Sequence, residues 1–197
     1  MKQNYDLIFK EIVKNLQGRP KVLLHSCCGP CSTHVIDVMK DYFDITVIYY
    51  NPNIQPIEEY EKRKKVQIKL LNQLENIAYM DCDYNGQDYE KVIVGLEHEK
   101  EGGQRCKKCI GLRMTKTAMI AKEKNFDYFA TTLTVSPHKN SQLINELGKQ
   151  IENELNIKYL YGDFKKDNGY LKSVELAKKY DLYRQNYCGC LYAKTID

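Results

Sequence analysis

Residues 23–32 read LLHSCCGPCS and place three cysteines within five positions, directly after a short apolar run. The run from Val22 to Leu24 predicts a buried strand, Gly29-Pro30 predicts a turn, and Ser32 is a candidate N-cap for the helical pattern that follows. In open α/β sheets, ligands bind in the loops after the carboxyl ends of the strands. Because zinc and iron-sulfur clusters prefer thiolate ligands, this stretch predicts a metal site at the first strand-to-helix loop.

Strand-like and helix-like segments alternate along the rest of the chain. Further strands are predicted over residues 44–50, 76–80, 126–133 and 157–161, and amphipathic or charged helical patterns lie between them. This alternation predicts an α/β fold with a parallel sheet flanked by helices. We expect one domain over residues 1–197, ending in a cysteine-bearing tail at about 181–197.

The composition is that of an ordinary globular protein, with 197 residues, 43% hydrophobic, 28% charged and a formal net charge of +4. So mild a charge permits RNA binding without arguing for it, because a basic face matters more than the total. The first residues, MKQNYD, lack an apolar signal segment, and no apolar run approaches the roughly 20 residues that span a bilayer. We therefore expect a cytoplasmic protein without membrane contact, and among its eight cysteines we expect the clustered ones to serve metal binding or redox chemistry.

A second cysteine group lies in GGQRCKKC at residues 102–109, where a helix is predicted to begin. Parallel topology brings strand-to-helix loops to one edge of the sheet, so Cys106 and Cys109 are expected near the first cysteine group. The spacing is compatible with a four-thiolate zinc site and with a [4Fe-4S] cluster. It favours iron and sulfide, because structural zinc sites are typically built from two CxxC-like knuckles rather than from a Cys-Cys pair.

The tail carries Cys188-Gly189-Cys190. These two thiols can close only a small, strained disulfide ring, and strained disulfides exchange readily, which favours a redox-active pair. Two further metal ligands are the alternative. Cys82, isolated after the third predicted strand, is expected to be a packed thiol.

Other candidate residues follow the predicted strands. His25 is a candidate proton donor or ligand, or a histidine held in place by hydrogen bonds. Asp81 or Asp83 offers a hard ligand for a second metal, or else caps a helix. Ser136 and Lys139 offer a hydroxyl and a cation for phosphate or ribose. The sequence contains neither GxxxxGK[ST] nor GxGxxG, so no motif supports a nucleotide cofactor.

Together these blocks resemble the epoxyqueuosine reductases of the QueH type. The resemblance runs in order through LLHSCCGPCS at 23–32, DCDY at 81–84, GGQRCKKC at 102–109, TTLTVSPHKN at 131–140, GDFKKDNGY at 162–170 and YRQNYCGC at 183–190. It implies a Rossmann-like α/β domain of the HUP class, related to the PP-loop tRNA-modifying enzymes but without an ATP-binding signature. It also implies a cobalamin-independent oxidoreductase that converts epoxyqueuosine to queuosine at the tRNA wobble position, the last step of queuosine biosynthesis.

The resemblance also implies roles for individual residues. It assigns four cysteines to a [4Fe-4S] cluster, namely Cys27, Cys28, Cys106 and Cys109. It assigns Cys188 and Cys190 to a redox-active disulfide, and it implies a mononuclear iron next to the cluster, for which Cys31 and Asp83 are candidate ligands. The implied partners are tRNA carrying epoxyqueuosine and an electron donor that the sequence does not identify. Candidate contacts to the tRNA are Lys139, Ser136, Arg184 and Tyr187.

Two other functions compete with this interpretation. The first is a PP-loop-like tRNA sulfurtransferase with an iron-sulfur cluster, against which the missing phosphate loop argues. The second is a non-catalytic zinc module that binds RNA, which a metal analysis distinguishes from both enzymes.

Overall fold

A computed structural model of the protein describes residues 2–193, so the end of the predicted tail, residues 194–197, lies outside the described residues. The five strands are β1 Lys21–His25, β2 Asp44–Ile48, β3 Ala78–Met80, β4 Tyr128–Thr131 and β5 Lys158–Tyr159. The seven α-helices are α1 Tyr5–Lys14, α2 Gly29–Met39, α3 Ile57–Leu71, α4 Gly86–Ile93, α5 Gln104–Glu123, α6 Ser141–Leu155 and α7 Gly169–Lys179. Short 3-10 helices cover Thr132–Val135 and Leu191–Ala193.

The five strands form one parallel sheet in the order β3-β2-β1-β4-β5. The chain builds outward from β1 to β3 on one side, and then crosses to add β4 and β5 on the other side of β1. The strand order therefore reverses between β1 and β4, which is the position where open α/β sheets bind ligands. The predicted α/β fold with a parallel sheet is confirmed.

Helices cover both faces of the sheet, and the alternation of side chains along β1 explains the two cores. Val22 and Leu24 are buried on one face, in a cluster that includes Phe9 of α1 and Val35 of α2. Leu23 faces the other way, in a cluster with residues of α5 and α6 that include Met114 and Ile144. Because successive strand side chains point to opposite faces, one apolar strand supplies both cores.

Two local predictions at the first loop are wrong. The structure begins α2 at Gly29, so Gly29-Pro30 forms the first helical turn, and Cys28 rather than Ser32 is the N-cap. Proline is well suited to this position, because the backbone N–H that it lacks has no helical partner there. The Cys28 thiol accepts a hydrogen bond of 3.3 Å from the backbone N–H of Cys31.

The remaining differences concern the ends of elements. The predicted strand 126–133 ends at Thr131, because residues 132–135 turn into a 3-10 helix. No helix within residues 2–193 has the length and apolarity needed to cross a membrane.

Two helical glycines predict opposite responses to alanine. A Cβ atom at Gly148 in α6 would lie 2.3 Å from ring atoms of the buried Tyr159, whereas a Cβ atom at Gly111 in α5 would meet nothing within 4 Å. We expect Gly148→Ala to lower the free energy of unfolding by about 1 to 3 kcal/mol through overpacking. We expect Gly111→Ala to raise it by about 0.5 to 1 kcal/mol, because alanine loses less conformational entropy in a helix. Urea denaturation measures both, and a loss of stability in both variants would contradict the packing argument.

Candidate metal centre and substrate cavity

Three thiols lie together at the carboxyl end of the central strand. The Sγ atoms of Cys27, Cys28 and Cys31 are within 4.8 Å of one another. The Thr132 hydroxyl, which follows β4, donates to Cys27 Sγ at 3.4 Å and accepts a hydrogen bond of 3.2 Å from the Cys27 backbone N–H. The end of β1, the start of α2 and the end of β4 therefore fix the geometry of the three sulfurs, as the sheet topology predicts.

A buried polar network holds the cysteine loop in place. The hydroxyls of Ser26 and Ser32 both donate to Gln67 Oε1 of α3, at 2.6 and 2.9 Å. The Asn51 amide donates to the Ser26 carbonyl at 2.8 Å. Ser26, Ser32, Asn51 and Gln67 are all buried, so these contacts replace water as hydrogen-bond partners of the loop. The serine that the sequence suggested as a helix cap is instead an anchor of the loop.

The pKa values of the three thiols are shifted in opposite directions. Hydrogen bonds from the Cys28 and Cys31 thiols, together with one from Thr132, hold the pKa of Cys27 well below its ordinary value. Hydrogen bonding to Cys27, together with burial, raises the pKa of Cys28 to about 12 and that of Cys31 well above its ordinary value. Thiolates are the form that binds metal, so a bound cation would displace the protons of these thiols.

The second thiol group begins α5. Gly103 is the N-cap of this helix. The Glu99 carboxylate accepts a hydrogen bond of 3.1 Å from the backbone N–H of Gln104. A Cβ atom at Gly103 would lie only 2.3 Å from the same carboxylate oxygen, Oε2. The Cys106 sulfur accepts the backbone N–H of Gly102 at 3.2 Å. Cys109 is buried one turn later, and this burial raises the pKa of its thiol to about 12.

The tail brings the third group of thiols to the same place. Gln55 N–H donates to the Gly189 carbonyl at 2.9 Å, and Gly189 adopts the left-handed conformation with a φ of +97°. The Cys188 sulfur lies 3.8 Å from Lys139 Nζ, whereas Cys190 is buried and shares a hydrogen bond of 2.8 Å with the Tyr89 hydroxyl. All eight cysteines are free thiols, so the disulfide between Cys188 and Cys190 remains a prediction.

A cavity of about 760 Å³ opens beside these sulfurs. Its wall contains the first cysteine group and Cys188, together with Arg113 and Glu101. All four predicted substrate contacts line it as well, namely Ser136, Lys139, Arg184 and Tyr187. The structure therefore brings the first cysteine group and the candidate RNA contacts to one cavity, whereas Cys106 and Cys109 do not line it, and the roles of all these residues remain predictions.

Two other candidate residues lie away from the cavity. His25 is fully buried, where its Nε2 donates to the Tyr50 carbonyl at 3.1 Å and its Nδ1 accepts from the Thr131 hydroxyl at 2.9 Å. Burial lowers the pKa of His25 to about 4, so the imidazole is neutral at neutral pH. Asp83 is exposed, and the metal-ligating group found within the described residues consists of three cysteines with no carboxylate. The proposed roles of His25 as proton donor and of Asp83 as ligand gain no support from these positions.

Sequence reasoning missed two residues that shape the site, Gln67 and Arg113. Gln67 looks like any polar residue of a charged helix, and its role depends on a tertiary contact with the cysteine loop. The sequence did indicate a role for Arg113, because it follows Cys109 by four residues and therefore lies on the same face of the predicted helix. It is buried, and its Nε donates to the Cys109 carbonyl at 3.2 Å.

The hydrogen bonds of Gln67 predict that replacing this side chain disrupts the cysteine loop. In Gln67→Leu the Ser26 and Ser32 hydroxyls lose the acceptor on α3 and keep only the Cys28 carbonyl and each other as partners. The loss of each hydrogen bond costs about 0.5 to 1.5 kcal/mol. We expect a lower midpoint temperature of unfolding and less bound iron per chain after anaerobic loading. Gln73→Leu, at an exposed position just beyond the same helix, is the control and should keep the iron content of the parent protein. Equal iron in both variants would mean that Gln67 does not hold the loop.

The fold is similar to that of U34-tRNA thiolase NcsA from Methanococcus maripaludis, whose structure was solved with its [4Fe-4S] cluster. The two structures have a TM-score of 0.60 and 14% sequence identity, over 95% of this chain and 66% of that chain. At this identity the likeness concerns the fold, and it confirms the predicted Rossmann-like, PP-loop-like architecture.

A family model described as "Epoxyqueuosine reductase QueH" matches residues 22–195. The epoxyqueuosine reductase QueH of Streptococcus pyogenes serotype M1 is 44% identical over 200 residues, which cover 98% of this chain and 78% of that protein. The protein of the same name from Thermotoga maritima is 36% identical over 179 residues, covering 87% of this chain and 89% of the relative. Matches of this extent show that the chain belongs to the epoxyqueuosine reductase QueH family of oxidoreductases.

Proposed function

We propose that this chain removes the epoxide oxygen of epoxyqueuosine in tRNA, using a [4Fe-4S] cluster held in the cavity. The observation that carries the proposal is the arrangement of thiols from two distant segments, the first cysteine group and Cys188, around one cavity whose wall also contains basic and aromatic side chains. Removing the oxygen consumes two electrons and two protons, releases water and leaves an alkene. The enzyme therefore needs an electron donor and a local source of protons.

The donor set fits an iron-sulfur cluster. Each thiolate of a [4Fe-4S] cube binds a different iron, so the four proposed ligands need not touch one another; these are Cys27, Cys28, Cys106 and Cys109. The sulfurs of Cys28 and Cys106 accept backbone N–H groups at the starts of α2 and α5, and such hydrogen bonds stabilise thiolates. A bound cluster supplies electrons one at a time. The cluster of the archaeal thiolase indicates that a fold of this kind accommodates such a centre.

A second iron beside the cluster would use Cys31, the member of the first cysteine group that the cluster leaves over. Asp83 remains the proposed carboxylate ligand, but it is exposed, so the 81–84 segment would have to move inward to reach Cys31. Among the described residues that line the cavity, Glu101 is the one carboxylate, and it pairs with Lys139 at 3.2 Å. A rearrangement of that ion pair would offer the second iron another oxygen ligand.

Lys139 is better placed than His25 to give a proton to the substrate. Burial alone would lower its pKa, but the negative groups of Cys188 and Glu101 raise the pKa above its ordinary value. The ammonium group therefore carries a proton at neutral pH and faces the cavity, 3.8 Å from the Cys188 sulfur. A neutral His25, with both ring nitrogens occupied, acts instead as a bridge between β1 and its neighbours.

The mouth of the cavity suits a nucleotide. The Arg184 guanidinium lies 5.1 Å from the centre of the Tyr170 ring, and the Arg63 guanidinium lies 4.8 Å from the centre of the Tyr187 ring. Planar side chains of this kind stack on unpaired bases, while cations bind phosphates. We therefore assign the binding of the modified nucleotide to this rim, with Arg184 and Tyr187 as contacts.

The function is tested by anaerobic loading with iron and sulfide, followed by incubation with epoxyqueuosine-containing tRNA and a strong reductant. We expect visible absorbance that bleaches on reduction, and queuosine in the digested tRNA by mass spectrometry. Cys106→Ser and Cys109→Ser should lose both signals, whereas Cys82→Ser, which changes a thiol packed outside the cavity, should keep both. A colourless zinc protein without conversion would support the RNA-binding module, and ATP-dependent sulfur incorporation would support the thiolase.

The tail thiols predict a dependence on the reductant. Oxidation of the Cys188 and Cys190 thiols to a disulfide releases two electrons and two protons, which matches the demand of the deoxygenation. We expect the variant with Cys188→Ala and Cys190→Ala to keep multiple turnover with a strong chemical reductant and to lose it with a dithiol donor. Unchanged turnover with both reductants would exclude a redox role, and loss of iron from the variant would indicate metal ligation.

A further inference from the structure

Arg113 is a buried cation in the wall of the cavity. Its side chain is only 3% exposed, yet the residue lines the space beside the cysteines. Its Nε donates to the Cys109 carbonyl at 3.2 Å, and its Nη1 donates to Asn51 Oδ1 at 3.3 Å. Both acceptors are neutral, so these contacts orient the guanidinium but leave its charge uncompensated.

No carboxylate pairs with Arg113 among residues 2–193. Arg63, another buried arginine, provides a contrast because its Nε lies 2.7 Å from Glu59 Oε1. A buried charge without a partner is strongly unfavourable, since burial removes its hydration. An anionic centre bound in the cavity would compensate the charge of Arg113, which no acidic side chain does.

Cysteines lie near Arg113. It lines the same cavity as the first cysteine group and Cys188, and its Nε binds the backbone carbonyl of Cys109. Burial alone would lower the pKa of Arg113, whereas the ionised forms of nearby cysteines, Cys109 first, raise it above its ordinary value. A metal bound to thiolates in this cavity would therefore place negative charge beside the guanidinium.

We infer that Arg113 is the counter-charge of the metal-thiolate centre and a positioning residue that favours its more negative, reduced state. This inference rests on the proposed function, because a four-thiolate cluster is negatively charged and gains a further negative charge on reduction. Net charge and hydrogen bonding set the reduction potential of such clusters. A fixed, buried cation therefore makes the centre easier to reduce, whatever the electron donor.

The test compares reduction potentials of anaerobically loaded proteins. Arg113→Gln and Arg113→Met remove the charge, and Met fills a similar volume, a replacement that buried ions often tolerate without loss of folding. We expect the midpoint potential of the cluster, from a redox titration followed by absorbance and electron paramagnetic resonance, to fall in both. Arg113→Lys should stay close to the parent protein, because it keeps the charge. Lys122→Gln, which removes an exposed charge in the last turn of α5, should not change the potential.

A second measurement separates a counter-ion from a structural arginine. We expect loading with iron and sulfide to raise the unfolding temperature of the parent protein more than that of Arg113→Met, because only the parent gains an ion pair on loading. Equal potentials and equal gains in unfolding temperature in the two proteins would overturn the inference. A parent protein that takes up no iron and sulfide would instead overturn the proposed function.

Discussion

The central position of β1 in a parallel sheet constrains everything at the site. Both faces of this strand are covered by helices, so the loop that follows it, residues 26–28, starts from the inside of the protein. Backbone and hydroxyl groups there cannot turn to water and must find partners in the chain. Gln67 and Asn51 supply those partners, and the orientation of the Cys27 and Cys28 thiols follows from the path that they impose.

The same constraint explains which features could be predicted from the sequence. Alternating strands and helices imply a parallel sheet, and a parallel sheet puts successive strand-to-helix loops on one edge. That argument was enough to place the cysteines of residues 27–31 at the carboxyl edge, beside the residues that follow β4. It does not cover Cys106 and Cys109, because α5 follows α4 rather than a strand. The prediction of Ser32 as the N-cap was wrong. Serine favours caps through local hydrogen bonds, whereas the Ser32 hydroxyl instead makes a tertiary hydrogen bond to Gln67. Tertiary contacts of this kind leave no periodic signal in the chain.

Loops on the same edge of a sheet can still be far apart, as the position of Asp83 shows. All strands end on the same edge, but β3 is the outermost strand on its side, with β2 between it and β1. Neighbouring strands lie about 4.8 Å apart, which places the end of β3 about 10 Å from the central loop before any divergence of the chain. Residues after β4 are direct neighbours of β1 instead. This is why Thr132 contacts Cys27 and Lys139 reaches the cavity, while Asp83 stays at the surface.

The tail brings two more thiols to the neighbourhood of the other cysteines. Cys190 packs with Cys109, Tyr89 and Ile93 in one buried cluster, so the proposed dithiol lies directly against a proposed cluster ligand. Cys188 faces the cavity and Lys139, on the side where the substrate would enter. The two ends of the CxC segment therefore have different surroundings, because Cys190 belongs to the buried cluster that contains Cys109, whereas Cys188 lines the cavity. This asymmetry is what the proposed redox role needs, since a dithiol that passes electrons inward must have one sulfur near the centre and one that an outside reductant can reach.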